Sequence, residues 1–114
     1  MDCLFCRIIN NEIPSTKVYE NDKVCAFNDI NPKAPVHILV IHKEHTANID
    51  ETTEMNSHIF SDIFLAVKEI AELKNLSEYG YRVIINNGNA AGQEVFHTHI
   101  HILGGKKNLG PMLQ

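Results

Sequence analysis

The stretch from Glu94 to Gly105, EVFHTHIHILGG, sets three histidines two residues apart inside an apolar run. Extended backbone sends alternate side chains to opposite faces. The spacing therefore predicts His97, His99 and His101 in a row on one face, with Phe96, Thr98, Ile100 and Ile102 on the other. A row of imidazoles backed by an apolar face suits a strand that packs on a core and opens its second face to a site. Two chemistries use such a row. The imidazoles can hold a Zn²⁺ that activates water, or one of them can act as nucleophile and divide a substitution into two steps through a covalent intermediate. With an ordinary pKa near ~6.5, imidazole is substantially neutral, and so nucleophilic, at neutral pH. The spacing alone does not separate the two. A second pattern, Cys3-x-x-Cys6, reads as half a metal site or as a redox pair. The thioredoxin-type redox motif belongs at a helix start within a βαβ unit, which is not evident here, so metal is the better functional reading.

The chain that must position these groups has 114 residues, the size of one ordinary domain, and it is read as a single unit over 1–114. Its net charge of −4 and pI near 5.9 argue against nucleic-acid or anionic-membrane partners, which need clustered basic surface. They leave room for a small phosphorylated ligand held locally. No stretch approaches the roughly 18 apolar residues of a membrane span, and the N-terminus lacks a signal-peptide layout. A cytoplasmic location is the expectation. Three cysteines are an odd number, which fits reduced thiols or a metal site better than a disulfide framework. Cys25 sits in a strand pattern and is expected in the core.

The elements follow from pattern. LFCRIINNEIP holds one short helical turn, broken by Asn10, Asn11 and Pro14. KVYE and KVCAFND read as strands around a tight Asn21-Asp22 turn, and VHILVIH is a third strand. The Pro- and Asn-rich DINPKAP between them is a loop. From Asp50 to Leu73 the period changes: Met55, Ile59, Ile63, Ala66, Ile70 and Leu73 step by three or four, which predicts an amphipathic helix capped by Thr52 or Thr53. YRVIIN is then a strand, NGNAAGQ a glycine-containing loop and VFHTHIHIL the last long strand. The sum is α+β, an antiparallel sheet of about five strands with one long helix on one face and a short N-terminal helix.

HTHIHIL fits the His-φ-His-φ-His-φ-φ signature of the histidine triad superfamily, with Thr98 as a slightly polar occupant of the first φ. The similarity runs further. CRIINNEIPSTKVYENDKVCAFNDINPKAPVHILVIHKEH resembles the N-terminal half of Hint-type histidine triad nucleotide-binding proteins. AAGQEVFHTHIHILGGKKNLGPML is similar to the C-terminal part of their bacterial members. The resemblance implies a homodimeric purine nucleoside phosphoramidase, which splits the P–N bond between a nucleoside 5′-monophosphate and an amine. It makes the middle histidine, His99, the nucleophile that forms a nucleotidyl-histidine, and sets His101 on the phosphate oxygens. His37 matches the histidine that supports the triad from a neighbouring strand. Two rivals stay open: a dinucleoside polyphosphate hydrolase of the related branch, and a nucleotide-binding regulatory module without turnover.

The same resemblance assigns the purine nucleotide ligand its contacts. Asp29 matches the ribose-binding aspartate, whose carboxylate can accept from both ribose hydroxyls. Ile30, Phe27, Phe5, Ile8 and Ile13 match the apolar lining of a base pocket. Asn86, Gly92, Gln93, Glu94 and Val95 match a phosphate-side loop, where glycine permits close approach and backbone N–H groups can face the phosphate. The Glu94 carboxylate would repel phosphate and is expected to turn away or toward the leaving amine. Some relatives carry a structural zinc, and the matching residues here are Cys3, Cys6, His45 and His97, a closed set of four donors. The resemblance also implies a homodimer whose sheets join across a two-fold axis. His42 stands where proline is common in the family, and opens a rival zinc ligand three residues before His45.

Overall fold

Alternation and burial build the sheet from its middle outward. The structure, a computed structural model, describes residues 3–111; the end of the GGKKNLGPML stretch lies outside them. β1 (Lys17–Glu20) and β2 (Val24–Asn28) form a hairpin. Its turn is held by Asn21, whose Oδ1 accepts from the backbone N–H groups of Lys23 and Val24, both at 2.8 Å. β3 (Val36–His42) pairs antiparallel with β2, β5 (His99–Gly104) with β3, and β4 (Arg82–Ile84) with the outer side of β5. The order is β1-β2-β3-β5-β4, with every neighbour antiparallel, as the sequence pattern predicts. The central strands are apolar on both faces because both are covered.

One face carries Val24, Ala26, Ile38, Val40, Ile100 and Ile102, and receives the buried stripe Ile59, Ile63, Ala66, Val67 and Ile70 of α2 (His58–Leu73). Full burial of each such aliphatic side chain stabilises the fold by about 1.5–3 kcal/mol. The other face carries Cys25, Phe27, Leu39 and Ile41, with Phe5 and Ile8 of the short helix α1 (Leu4–Ile9) packed over it. Cys25 is core, as expected. Gly105 ends β5 with φ +93 where a Cβ would press on Val36 and Pro35, so the turn there requires glycine.

Three expectations need correction. The long helix begins at His58 rather than Asp50: residues Ile49–Glu51 form a 3-10 turn, and Ser57, not Thr52 or Thr53, occupies the cap position. Asn56 explains the delay, because its Oδ1 accepts from Thr53 N–H at 2.7 Å and its side chain donates to the Glu51 carbonyl, closing a local turn that competes with helix. Met55 accordingly projects into solvent, and so does Leu73 at the far end. The last strand begins at His99 rather than Val95, and YRVIIN contributes only Arg82–Ile84 as strand. His97 therefore precedes the strand, and Phe96 is exposed instead of sharing the apolar face. No helix among the described residues is long and apolar enough to cross a membrane.

Candidate functional site

β5 and β3 place the imidazoles. Leu39 pairs with His101 and Ile41 with His99, so both histidines lie on the α1-covered face with Leu39 and Ile41. His99 is buried beneath the edge of the Phe5 ring, their centroids 5.0 Å apart, and the His101 ring lies 5.2 Å from it. The polarity of each ring follows from its partners. His99 Nδ1–H donates to the His97 carbonyl oxygen at 2.7 Å, which leaves the lone pair of neutral His99 on Nε2. The Lys33 backbone N–H donates to His37 Nδ1 at 3.0 Å, so neutral His37 carries its proton on Nε2. That N–H faces His101 Nδ1 at 3.0 Å and the Asp29 carboxylate at 3.4 Å. His101 thereby holds its own proton on Nε2. The site pairs a lone-pair nitrogen on His99 with an N–H on His101.

Burial keeps these rings neutral. It pushes His101 from its ordinary 6.5 to about 4, aided by the nearby His99 and His37 and opposed by the Asp29 carboxylate. His99 and His37 are lowered for the same first reason, with Asp29 again opposing. For His101 the unfolded chain binds the proton first as pH falls between 6.5 and about 4, so stability declines through that window and is flat above it. The expected loss from this group is about 2 kcal/mol between roughly pH 7 and pH 5. Urea melts at the two pH values test it: the difference shrinks in His101→Gln, and an equal slope in variant and wild type would contradict the assignment.

Beside the histidines opens a cleft of about 540 Å³ lined by Phe5, Ile8, Ile13, Phe27, Asp29 and Ile30 among others. The resemblance matches the five apolar residues to a base pocket and Asp29 to a ribose contact, and the structure brings the six together. Asp29 follows β2, its Oδ1 accepting from Asn31 N–H at 2.8 Å. The loop beyond β4 turns through Gly88 and Gly92, both in the left-handed region that favours glycine. The Gln93 side chain holds this loop together. It is buried, accepts from Gly88 N–H, and donates to the carbonyls of Ala47 and Val95, so it ties the loop to the segment after β3. Glu94 is exposed, Val95 packs partly on the core under α1, and Asn86 is half-buried just after β4.

His97 leaves the row to join the cysteines. Its Nε2–H donates to the His42 carbonyl at 2.7 Å, which turns the Nδ1 lone pair toward Cys3 Sγ (3.4 Å), Cys6 Sγ (3.6 Å) and His45 Nδ1 (3.0 Å). His45 Nδ1 also lies 3.6 Å from Cys6 Sγ. One ligand atom from each of Cys3, Cys6, His45 and His97 lies within 4.8 Å of the others. Metal bonds of about 2.1–2.3 Å give a tetrahedron edges of roughly 3.4–3.8 Å, close to these separations. The carbonyl partner behind His97 is the outer-sphere contact that fixes a metal-ligating imidazole. Burial, with a further push from Cys3, raises the Cys6 thiol to about 11, and burial lowers His97 to about 4. A dication would reverse the first of these shifts. The residues present fit a tetrahedral metal. His42 is not among them: its side chain turns to the α2 face and only its carbonyl serves the cluster.

Thr46 and Thr98 are the contacts that sequence reading missed. Their buried hydroxyls lie 2.8 Å apart, and Thr98 N–H donates to the Thr46 carbonyl at 2.7 Å. The pair clamps the segment His45-Thr46 to His97-Thr98-His99. It thus fixes a cluster residue and the carbonyl that orients His99 together. The slightly polar Thr98 in an otherwise apolar position was the available signal.

A five-strand antiparallel sheet crossed by one long helix, with alternating histidines on the inner strand pair, defines a histidine triad domain. The HIT domain family pattern matches residues 10–108, and the chain belongs to that family. It is 41% identical over 112 residues to the purine nucleoside phosphoramidase of Escherichia coli strain K12, covering 98% of this chain and 93% of that protein. It is 43% identical over 106 residues to the 14 kDa zinc-binding protein of Zea mays, covering 91% and 82% of the two chains. The solved structure of a HIT family hydrolase from Clostridium thermocellum superposes with a TM-score of 0.93 at 51% identity, covering 99% of this chain and 97% of that one.

Proposed function

We propose that the protein is a hydrolase of purine nucleoside 5′-monophosphoramidates, working through a nucleotidyl-histidine on His99. The observation that carries this is the fixed polarity of His99, whose Nδ1–H is spent on the His97 carbonyl and whose Nε2 lone pair is left to attack. The base enters the apolar cleft, the ribose hydroxyls meet Asp29, and the phosphate lies between His99, the His101 Nε2–H and the 86–95 loop. His99 Nε2 forms a bond to phosphorus as the P–N bond breaks, and its electron pair leaves on the amine. An amine departs poorly unless protonated. His101, whose Nδ1 accepts from His37, turns its Nε2–H to the phosphate oxygens and stabilises their charge, while the proton for the amine comes from solvent water. Water then attacks phosphorus and releases the nucleoside monophosphate and His99. The 41% identity to a purine nucleoside phosphoramidase supports the P–N substrate class.

Cys3, Cys6, His45 and His97 hold a structural zinc in this reading, supported by the donor geometry and by the zinc-binding relative. Bound there, zinc supplies a cross-link between the N-terminus, the end of β3 and the start of β5. Its four protein ligands leave no position for a water, so no catalytic step passes through it. With Cys3 and Cys6 given to the metal and Cys25 in the core, the cysteines form no disulfide framework and the chain is read as cytoplasmic. The substrate class is tested by comparing turnover of an adenosine 5′-phosphoramidate with that of a diadenosine polyphosphate. Preference for the phosphoramidate is expected, preference for the polyphosphate would assign the related branch, and binding of AMP without turnover of either would leave a regulatory module.

The active species in this reading is a homodimer joined through β4 and α2. β4 is an outer strand with Val83 exposed, and α2 leaves Phe64, Leu65 and Leu73 in solvent. An open edge beside apolar side chains favours pairing with a second copy. Ile84→Glu places a charge in the joined edge and is expected to give a folded monomer or an unfolded chain. Light scattering that finds the wild type monomeric at micromolar concentration would refute the dimer.

A further inference from the structure

The side chain of His42 opens a second cluster on the face of the sheet opposite the histidine pair. His58 and Asp62, four residues apart, project from one face of the first turn of α2 toward the end of β3. There the His58 Nε2 meets the Glu44 carboxylate at 3.0 Å, and the Asp62 carboxylate meets His42 Nε2 at 2.8 Å. One donor atom each from His42, His58 and Asp62 lies within 4.8 Å of the others. They border a hollow of about 380 Å³.

We propose that this cluster is a surface site for a divalent first-row transition ion, held by His58 and Asp62, whose donor atoms lie within 4.8 Å of each other, with the Glu44 carboxylate beside His58 turning in as the third ligand. Imidazole with carboxylates is a donor set that such ions accept. His42 is assigned a different part, because the Glu44 backbone N–H donates to its Nδ1 at 2.9 Å. Its proton therefore sits on Nε2 and is donated to Asp62, so His42 orients the carboxylate from behind the ion as an outer-sphere residue. Lys23, whose ammonium stands 3.9 Å from Asp62 and is largely exposed, is the cation that a metal would displace. Three protein ligands leave the ion open toward solvent, in contrast to the closed Cys3, Cys6, His45 and His97 set. The two sites share the segment from His42 to His45, since the His42 carbonyl holds the His97 ring. The inference rests on none of the catalytic roles assigned above.

The test uses the full chain already carrying one zinc, titrated with further Zn²⁺ by calorimetry while the histidine ring resonances are followed by NMR. A second equivalent per chain is expected, shifting the His58 and His42 rings and leaving His37 and His101 in place. His58→Ala and Glu44→Gln, both at exposed positions, should each weaken that equivalent by about 100-fold. His42→Gln should weaken it about tenfold, in the range found for loss of an outer-sphere partner. Uptake that stops at one zinc per chain, a second zinc that shifts His37 and His101 instead, or unchanged uptake by His58→Ala would each overturn the proposal.

Discussion

Replacing His99 with alanine is expected to abolish the proposed phosphoramidate turnover, by on the order of 10⁴-fold or more, and to leave the proposed binding of AMP in place. The size of the loss follows from what is removed. No other imidazole in the site has both a free lone pair and a backbone partner that holds it in place: His101 presents an N–H, and His97 is turned to the thiols. Removing a covalent nucleophile takes away the whole two-step route rather than one contribution to it. Binding persists because the apolar cleft and Asp29 lie on other elements. Steady-state kinetics with calorimetry of AMP checks both halves. Turnover within tenfold of wild type would contradict the assignment of His99.

Stripping the proposed zinc, or replacing Cys3 with alanine, is expected to lower the melting temperature by more than about 10 °C. Metal binding to a site that exists only in the folded chain contributes its binding free energy to folding, and a loss of a few kcal/mol moves a domain of this size by that amount. Among the described residues the N-terminal segment reaches the sheet through α1, whose Phe5 forms part of the cleft beside the histidines. A metal cross-link at Cys3 and Cys6 would therefore also order that wall. Activity measured immediately after brief chelation is expected to stay near its starting value, because the closed shell offers no water to phosphorus and the Thr46 to Thr98 clamp still holds the His97 carbonyl on His99. Thermal melts paired with early-time assays separate the outcomes. An immediate loss of activity restored by zinc would favour a metalloenzyme, and a melting temperature indifferent to chelation would remove the structural site.

The strands KVYE and VHILVIH could be read to the residue because their apolar runs end where turn-forming residues begin. The helix stripe Ile59, Ile63, Ala66 and Ile70 was legible for the same reason: periodicity reports burial. Its start was not, since Met55 happens to continue the period while Asn56 bonds the local backbone and closes a turn. Two-residue alternation likewise placed His97 in the row. The geometry that takes it out depends on Cys3 and Cys6, more than ninety positions away in the chain, and a local pattern carries no such information. The resemblance, by contrast, had matched His97 to the cysteines from the outset. His42 shows the converse. Its place three residues before His45 made it a rival ligand on paper, yet strand register sends its side chain to the α2 face. The resemblance gave the Gln93 loop backbone recognition of phosphate, and the three hydrogen bonds of the Gln93 side chain, which hold the loop in shape, could not be read from a local pattern.

A covalent intermediate tests the role of His99 most directly. Protein mixed with an excess of a purine nucleoside phosphoramidate and quenched in alkali, which spares phosphorus–nitrogen bonds to histidine, is digested and sequenced by mass spectrometry. One added nucleotidyl mass located on His99 is the predicted result; the same mass on His97 or His101, or turnover with no adduct at any time point, would contradict it.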